Sequence, residues 1–521
     1  MAGLDQSAVR RVNTAALTAP GRTADLLIVG SGIMGAVVAR LVREASAGTT
    51  IVMVDGGPAI GAVPGLHLHD VAEPEIWSRY NARTASGIQG FYAGIAPSPS
   101  RAHDVHGLEA GMHLLSALGD GAAAMPAAAA AWNVGGMGAH WTAATPWPAG
   151  AEVFDHGDPG AWRRDLDIAR RALGVSAGPI GLSRPGEVVL AELRQRYRGI
   201  GPADRAPQLM PMAVTAGPGG RLLRSGPSRI FPPLGSGGDG RFTLLPRTLA
   251  VALDHDGRRV RGAEVLDVDS GGRHTIEATA TVVCADAFRT PQLLFASGIR
   301  PDALGRYLNE HAFVTGRVLV DLDRFGLDRA GLPRPADGEF ATDSLWLPQN
   351  GPAQPFHGQI MNTTYLDEGG APLAHAVGFS LYSPVETRPE NRLRFVEGAT
   401  DVTGMPCFEI EFGYTGTDLG LIGAARDEVR SIAGRFGDFD PDTESTLLPP
   451  GSSLHQTGTV RMGTADDGTS VCDPYGRVWA FDNLYLAGNG VVPTAVVANV
   501  TLTGTVTAVR AARAALRTID S

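Results

Sequence analysis

The chain has 521 residues, with 44 basic side chains against 54 acidic ones and a formal charge of -10, and every one of the 44 bases is arginine. Without lysine there is no P-loop of the G-x-x-x-x-G-K type, and no enzyme that holds pyridoxal phosphate or a carbonyl substrate on a lysine Schiff base. The acidic balance, with no clustered basic patch, argues against nucleic acid or an anionic membrane surface as partner and favours small neutral substrates.

In chain order, Met1 to Arg22 carries no apolar core behind a basic start, so no secretory leader is expected. Asp25 to Val29 is a short apolar run of strand type. It leads into Gly30-Ser-Gly32-Ile-Met-Gly35, then a helical pattern from Ala36 to Glu44, then a second apolar run from Thr50 that ends at Asp55. Strand, glycine turn, helix, strand and acid together predict a βαβ dinucleotide site. Gly30 permits the tight turn, Gly32 lets backbone approach a pyrophosphate, and Gly35 lets the helix pack on the strand. The helix N-terminus offers N–H groups to phosphate, and Asp55 is spaced to accept from ribose hydroxyls. Ser31, Met34 and Gly56 sit within the same unit. The motif by itself leaves NAD and FAD open.

His67-Leu-His69 and His103-Asp-Val-His106 lie in Gly-, Pro- and polar-rich stretches without the H-E-x-x-H context, so they read as loop histidines and no metal site is expected. Gly121 to Trp132 is apolar but short and broken by Pro126, which excludes a membrane span. Phe242-Thr-Leu-Leu-Pro and Gly262 to Val268 read as strands. Asp438-Phe-Asp440-Pro-Asp442-Thr-Glu444 opens like a calcium loop, but Thr443 and Pro449 stand where an EF-hand needs glycine and glutamate, so it reads as a solvated acidic loop. Thr501 to Arg517 predicts a closing helix. Cys284, Cys407 and Cys472 are widely separated, which gives neither a disulfide framework nor a thiolate cluster.

Three further segments, in order after the βαβ unit, carry a resemblance. Val134-Gly-Gly-Met-Gly-Ala-His-Trp-Thr-Ala-Ala-Thr-Pro146 resembles the flavin-facing segment of pyranose oxidases, members of the glucose–methanol–choline (GMC) oxidoreductase family. Val282 to Leu294, with Ser297-Gly-Ile299 and Leu304-Gly-Arg-Tyr-Leu-Asn-Glu-His311, resembles the middle GMC signature. His455-Gln-Thr-Gly-Thr-Val-Arg-Met-Gly463 through Asn483 to Gly490, Pro493-Thr-Ala495 and Ala498 to Thr503 resembles the C-terminal one. The resemblance implies an α/β (α+β) chain with FAD as cofactor. Its Rossmann-like FAD-binding domain would be discontinuous, over 22–146, 241–311 and 451–521. A substrate domain built on an antiparallel sheet with helices would take 147–240 and 312–450.

The same resemblance implies the site. Gly135, Gly136, Gly488, Asn489 and Thr501 would join the βαβ residues around the cofactor, and Thr142 would lie near flavin N5 and touch substrate. His140 matches a histidine often joined covalently to the flavin; Gly138 and Ala139 precede it where fungal enzymes have Ser and Thr, so a covalent bond and a packed histidine beside free FAD are both open. Oxidising an alcohol removes a hydroxyl proton and a carbinol hydride, and flavin supplies no base for the proton. The match puts that base at His455 and its partner on the same substrate oxygen at Asn499.

Gln354-Pro-Phe-His-Gly-Gln-Ile360 and Glu390-Asn-Arg-Leu393 also match pyranose oxidases, and Gln359 aligns with a glutamine that binds sugar hydroxyls. A sugar-contacting histidine of those enzymes is Met361 here, a pocket arginine falls at Ser380, and the loop from Asn362 to Pro372 differs. Shorter and less polar groups imply a wider pocket, as in the bacterial C-glycoside 3-oxidases. The expectation is oxidation at C3 of a C- or O-glycoside, with C2 of a free sugar next and a non-sugar alcohol or a non-catalytic flavoprotein as alternatives. Electrons would pass to O2, giving peroxide, or to a quinone-type acceptor. The start of the chain and the lack of a membrane-length apolar run lead to the expectation of a cytoplasmic protein, and the resemblance to that of a bacterial one.

Overall fold

The computed structural model describes residues 22–76, 78, 104–218, 221–336, 339 and 341–521. His103 and the N-terminal segment as far as Gly21 lie outside the described residues. The first apolar run forms strand β1 (Arg22–Val29) and the second β2 (Ile51–Val54). Leu26, Leu27 and Ile28 are all fully buried, as a parallel strand covered on both faces requires. β3 (Phe242–Leu245) pairs parallel with β2, while β4 (Thr248–His255), β5 (Val260–Asp267) and β6 (Arg273–Val283) form an antiparallel meander. β6 closes the sheet by pairing parallel with β1 and, at its C-terminal end, with the short strand Leu484–Leu486. The result is a seven-stranded sheet in the order β3-β2-β1-β6-β5-β4, with Leu484–Leu486 beside β6.

A second, six-stranded sheet is antiparallel throughout. β7 (Ala312–Leu319), β8 (Asp343–Leu347), β9 (His357–Leu366) and β10 (Pro372–Ser383) run in the spatial order β7-β10-β9-β8, with Ser445–Leu447 outside β7 and Gln208–Leu209 outside β8. The longer helices are, in chain order, α1 (Ile33–Ala45), α2 (Pro159–Leu173), α3 (Arg184–Arg196), α4 (Asp286–Ala296), α5 (Gly416–Ala433) and α6 (Thr501–Asp520). α6 packs on α1, α2 and β6 in the first core. One face of the second sheet, with Val314, Val377 and Phe379, packs on Val189 and Leu193 of α3 and Val429 of α5. Alternation along these strands turns the opposite face toward the site.

The expected division assigned all of 147–240 to the substrate domain, and the cores divide differently. Trp162, Ala169 and Leu173 of α2, Met210 to Val214, and Phe231 with Leu234 belong to the core of the first sheet; only α3 and its neighbours join the second. The reason is the Ala-rich face of α6, which gives α2 a surface to bury, and an ion pair in which Arg510 Nε donates to Asp165 Oδ2 at 3.0 Å with both groups buried. The Ala-rich stretch that ends at Trp132 forms a hairpin strand, Ala129–Trp132, against Gly111–Leu114. The acidic loop contains one helical turn, Pro441–Glu444, capped by Asp440, whose side chain accepts from Asp442 N. Among the described residues no helix is long and apolar enough to cross a membrane.

Candidate active site

One cavity of about 1160 Å³ runs from the β1–α1 turn to the second sheet. That exceeds the roughly 300–1,000 Å³ of most small-molecule sites, so it has room for a dinucleotide and a substrate together. Every cofactor residue expected from the sequence lines this cavity except Gly35 and Gly135. Those two shape the backbone. A Cβ on Gly35 would stand 2.0 Å from the Gly30 carbonyl oxygen, whereas one on Gly32 would meet nothing nearer than 3.8 Å. Gly30 is left-handed (φ +101°) and lies against Cys284. α1 starts at Gly32 without a side-chain cap, so its first-turn N–H groups are available to an anion.

Asp55 holds this turn before it holds any ligand. Its Oδ2 accepts from Ser31 Oγ (2.6 Å) and Ser31 N (3.1 Å), and its Oδ1 from Gly57 N (2.9 Å). Of about four lone-pair sites one is left for a ribose hydroxyl. Burial pushes its carboxyl above the usual range. Ser31 Oγ also accepts from Gly135 N at 2.8 Å and so ties the turn to the 134–140 segment. On the far side, Asn489 Oδ1 is buried at the cavity wall without a hydrogen-bond partner among the described residues, and Gly504 has no side chain to obstruct it. An uncapped helix start, glycines at the closest approaches and an orphaned buried acceptor are what a bound dinucleotide would complete.

His140 donates from Nε2 to Asn133 Oδ1 at 2.8 Å; the Asn133 amide is itself oriented by donating to the Val134 and Gly136 carbonyls. Of the histidines read as loop residues, His67 is buried, with Nε2 2.8 Å from the Trp141 carbonyl, where it supports the same segment.

His455 and Asn499 meet at the cavity wall, with Asn499 Nδ2 3.5 Å from His455 Nε2. Two buried carboxylates bring them there. Glu310 accepts from Gly451 N, Ser453 Oγ and Gln456 Nε2, and Ser453 Oγ in turn accepts from His455 N at 3.2 Å. Glu152 accepts from Val497 N (2.8 Å) and Ala498 N (3.3 Å), just before Asn499. Leu454 takes a left-handed φ of +58°, a strain localised next to His455 that these bonds sustain. Burial raises Glu310 to about 7.

The tautomer of His455 follows from its neighbours. The Val496 carbonyl can only accept, so the His311 Nδ1 that lies 3.2 Å from it carries the proton. Burial pushes His311 down to about 4, so it is neutral and its Nε2 is an acceptor. His455 Nδ1, 3.0 Å away, must donate to it. The Nε2 lone pair of His455 is therefore the one that faces Asn499 and the cavity. Burial, and then the adjoining His311 and His357, hold His455 well below the usual histidine range, so it stands ready as an unprotonated base.

The second sheet supplies the opposite wall. Cross-strand register stacks rows on one face: Phe313, Tyr382 and His357; then Thr315, Ser380, Gln359 and Trp346; then Arg317, Gly378, Met361 and Ser344. Gln359, Met361 and Ser380, singled out in the sequence for the substrate, thus share one surface with Thr142 across the cavity. The sequence reading missed His311, His357, Tyr382, Glu310 and Glu152. His357 was legible as the residue two before Gln359 on a strand, hence on the same face; nothing local marks the other four.

Residues 239–313 and 387–508 match the models for GMC oxidoreductase. The chain is 36% identical over 504 residues to the C-glycoside 3-oxidase of Microbacterium trichothecenolyticum, covering 94% of this chain and 96% of that one. It is 37% identical over 507 residues to the C-glycoside 3-oxidase of Arthrobacter globiformis, covering 94% of each. A structure of Aspergillus oryzae formate oxidase, described for its FAD modification, superposes with a TM-score of 0.64 at 15% identity, covering 96% of this chain and 99% of that one. Two C-glycoside 3-oxidases matched from end to end, with the motifs now gathered round one cavity, establish that the chain belongs to the GMC oxidoreductase family.

Proposed function

We propose that this protein is an FAD-dependent oxidoreductase that oxidises a secondary hydroxyl of the pyranose ring of a glycoside, with C3 as the favoured carbon. The observation that carries the reading is the pairing of an unprotonated His455 Nε2 with the Asn499 amide at the wall of a dinucleotide-sized cavity. A substrate hydroxyl that reaches both from the cavity would donate to His455 Nε2 and accept from Asn499 Nδ2, taking the place of the 3.5 Å contact between the two side chains. His455 removes the hydroxyl proton while the carbinol carbon loses its hydride, and the C–O bond becomes a carbonyl. Bound FAD supplies the two-electron acceptor for that hydride, and O2 or a quinone-type compound reoxidises it. The cradle of Gly30, Gly32, the α1 N-terminus, Asp55 and Asn489 would hold the cofactor.

Two features favour a glycoside over a simple alcohol or a free sugar. Gln359, Ser380 and Thr315 form a polar row suited to ring hydroxyls, against a non-sugar alcohol. Beyond them Gly378, between Arg317 and Met361, leaves space above the sheet, since a Cβ there would meet nothing closer than 3.6 Å. An aglycone would occupy that space.

We further take the flavin to be held without a covalent bond, because His140 Nε2 is committed to Asn133; acid precipitation should leave a colourless pellet and a yellow supernatant, and a yellow pellet would overturn this. The three cysteines are free thiols, in keeping with a reducing cytoplasm. The activity is tested by comparing an aryl C-glycoside with glucose under one acceptor and identifying the oxidised carbon. The expected result is preference for the glycoside with a 3-keto product; preference for glucose with C2 oxidation would overturn the substrate assignment.

A further inference from the structure

We propose that His311 and His357 are positioning residues that impose, from opposite sides, a single proton pattern on the His455–Asn499 pair, through one unidirectional hydrogen-bond chain running from Trp346 to the Val496 carbonyl. The inference rests on the catalytic reading of that pair given above. The chain begins at an obligate donor: Trp346 Nε1–H donates to His357 Nδ1 at 3.0 Å, in the fully buried interior. An indole N–H has no acceptor lone pair, so His357 Nδ1 must be bare and its proton must sit on Nε2. It ends at an obligate acceptor, the Val496 carbonyl, which fixes His311 as the Nδ1–H form.

Between these ends lies Asn499, whose amide could point either way. Among the described residues His357 Nε2 and Asn499 Oδ1 are both buried and have no other hydrogen-bond partner, and the two side chains interact. The contact falls short of a fully formed hydrogen bond, but it pairs the leftover donor with the leftover acceptor. With Oδ1 turned to His357, the Asn499 amide must present Nδ2 to His455, where it lies 3.5 Å from Nε2. Every link then points the same way: Trp346 to His357 to Asn499 to His455 to His311 to Val496.

Reversal at any link would put two donors or two lone pairs face to face in a buried site, leaving both groups desolvated and without a hydrogen bond. The rings are locked against rotation as well. Tyr382 stacks on His357 (5.5 Å between centroids, 16° between planes) and packs on His311 at 4.3 Å and His455 at 5.9 Å. Neither end of the chain is a carboxylate. Unlike an Asp–His arrangement, it therefore orients the base without raising its proton affinity, and His455 stays neutral until substrate arrives.

The test uses the holoenzyme and reads two quantities. Histidine-selective 15N NMR at neutral pH should find His455 and His311 as Nδ1–H tautomers and His357 as Nε2–H; any other assignment in the unmutated protein overturns the proposal without reference to activity. Anaerobic flavin reduction by an aryl C-glycoside is then followed in variants. Glutamine can accept at Oε1 and donate at Nε2, so His311→Gln and His357→Gln should keep the rate within about threefold. His311→Leu should lower it on the order of 10²-fold, the effect of mis-setting a general base. Trp346→Phe, which keeps a flat aromatic side chain but removes the N–H together with the pyrrole ring that carries it, should lower the rate about tenfold and produce mixed tautomers at His357. A wild-type rate and tautomer pattern in both His311→Leu and Trp346→Phe would overturn the inference alone. An unimpaired His455→Ala would overturn the catalytic reading beneath it.

Discussion

His455 has its basicity set by what surrounds it, and that has a measurable consequence. Burial among neutral histidines disfavours its protonated form, so its pKa lies well below 6.5. The base works when unprotonated, so the rate of flavin reduction rises as pH passes upward through the His455 pKa and is flat above it. The plateau should therefore extend below pH 6.5, and rapid-mixing measurements of the reductive half-reaction across pH 5–8 should show it; an acid limb at or above 6.5 would contradict the environment described. His455→Ala should retain flavin and lose on the order of 10²–10⁴ in reduction rate. At the substrate wall, Met361→His together with Ser380→Arg would refill the surface with long polar groups. We expect the ratio of kcat/KM for glucose over glycoside to rise by about tenfold or more, and an unchanged ratio would show that these positions do not read the substrate.

The turn between β1 and α1 separates glycines that build the fold from glycines that receive the ligand. Gly35→Ala drives a Cβ into the Gly30 carbonyl, so the helix must shift; we expect roughly 1–3 kcal/mol of destabilisation and loss of flavin together. Gly32→Ala has space for its methyl, so the melting temperature of the apoprotein should be unchanged while flavin is lost on gel filtration. Equal effects from the two would refute the distinction. This unit was also the most legible in the sequence, because a βαβ turn is a local device: strand, glycines, helix and acid lie within 34 residues, from Arg22 to Asp55. The proposed catalytic pair was legible only through family resemblance, since nothing in the spacing of His455 and Asn499 brings them together. Glu310 and Glu152, which do bring them together, act on loop backbone far away in sequence and leave no local trace. That α2 packs in the core of the first sheet was not legible, because its partner face on α6 lies more than 300 residues downstream.

Across the whole molecule, the cofactor sheet and the six-stranded sheet are two walls of one cavity, so a ligand that fills it joins both cores. Flavin at about 100 times its dissociation constant should add near 2.7 kcal/mol and raise the melting temperature by about 2–3 °C over the stripped protein, measured by calorimetry. The same geometry makes the central claim directly testable, because the cofactor reports on the substrate that shares its cavity. The purified protein is mixed anaerobically with an aryl C-glycoside and the flavin absorbance near the visible maximum is followed, beside His455→Ala under the same conditions. The expected result is bleaching of the wild-type flavin with one equivalent of 3-keto glycoside formed, and a bleaching rate at least 10²-fold slower in the variant. A flavin that stays oxidised with every glycoside offered, or one that bleaches equally fast without His455, would contradict the account.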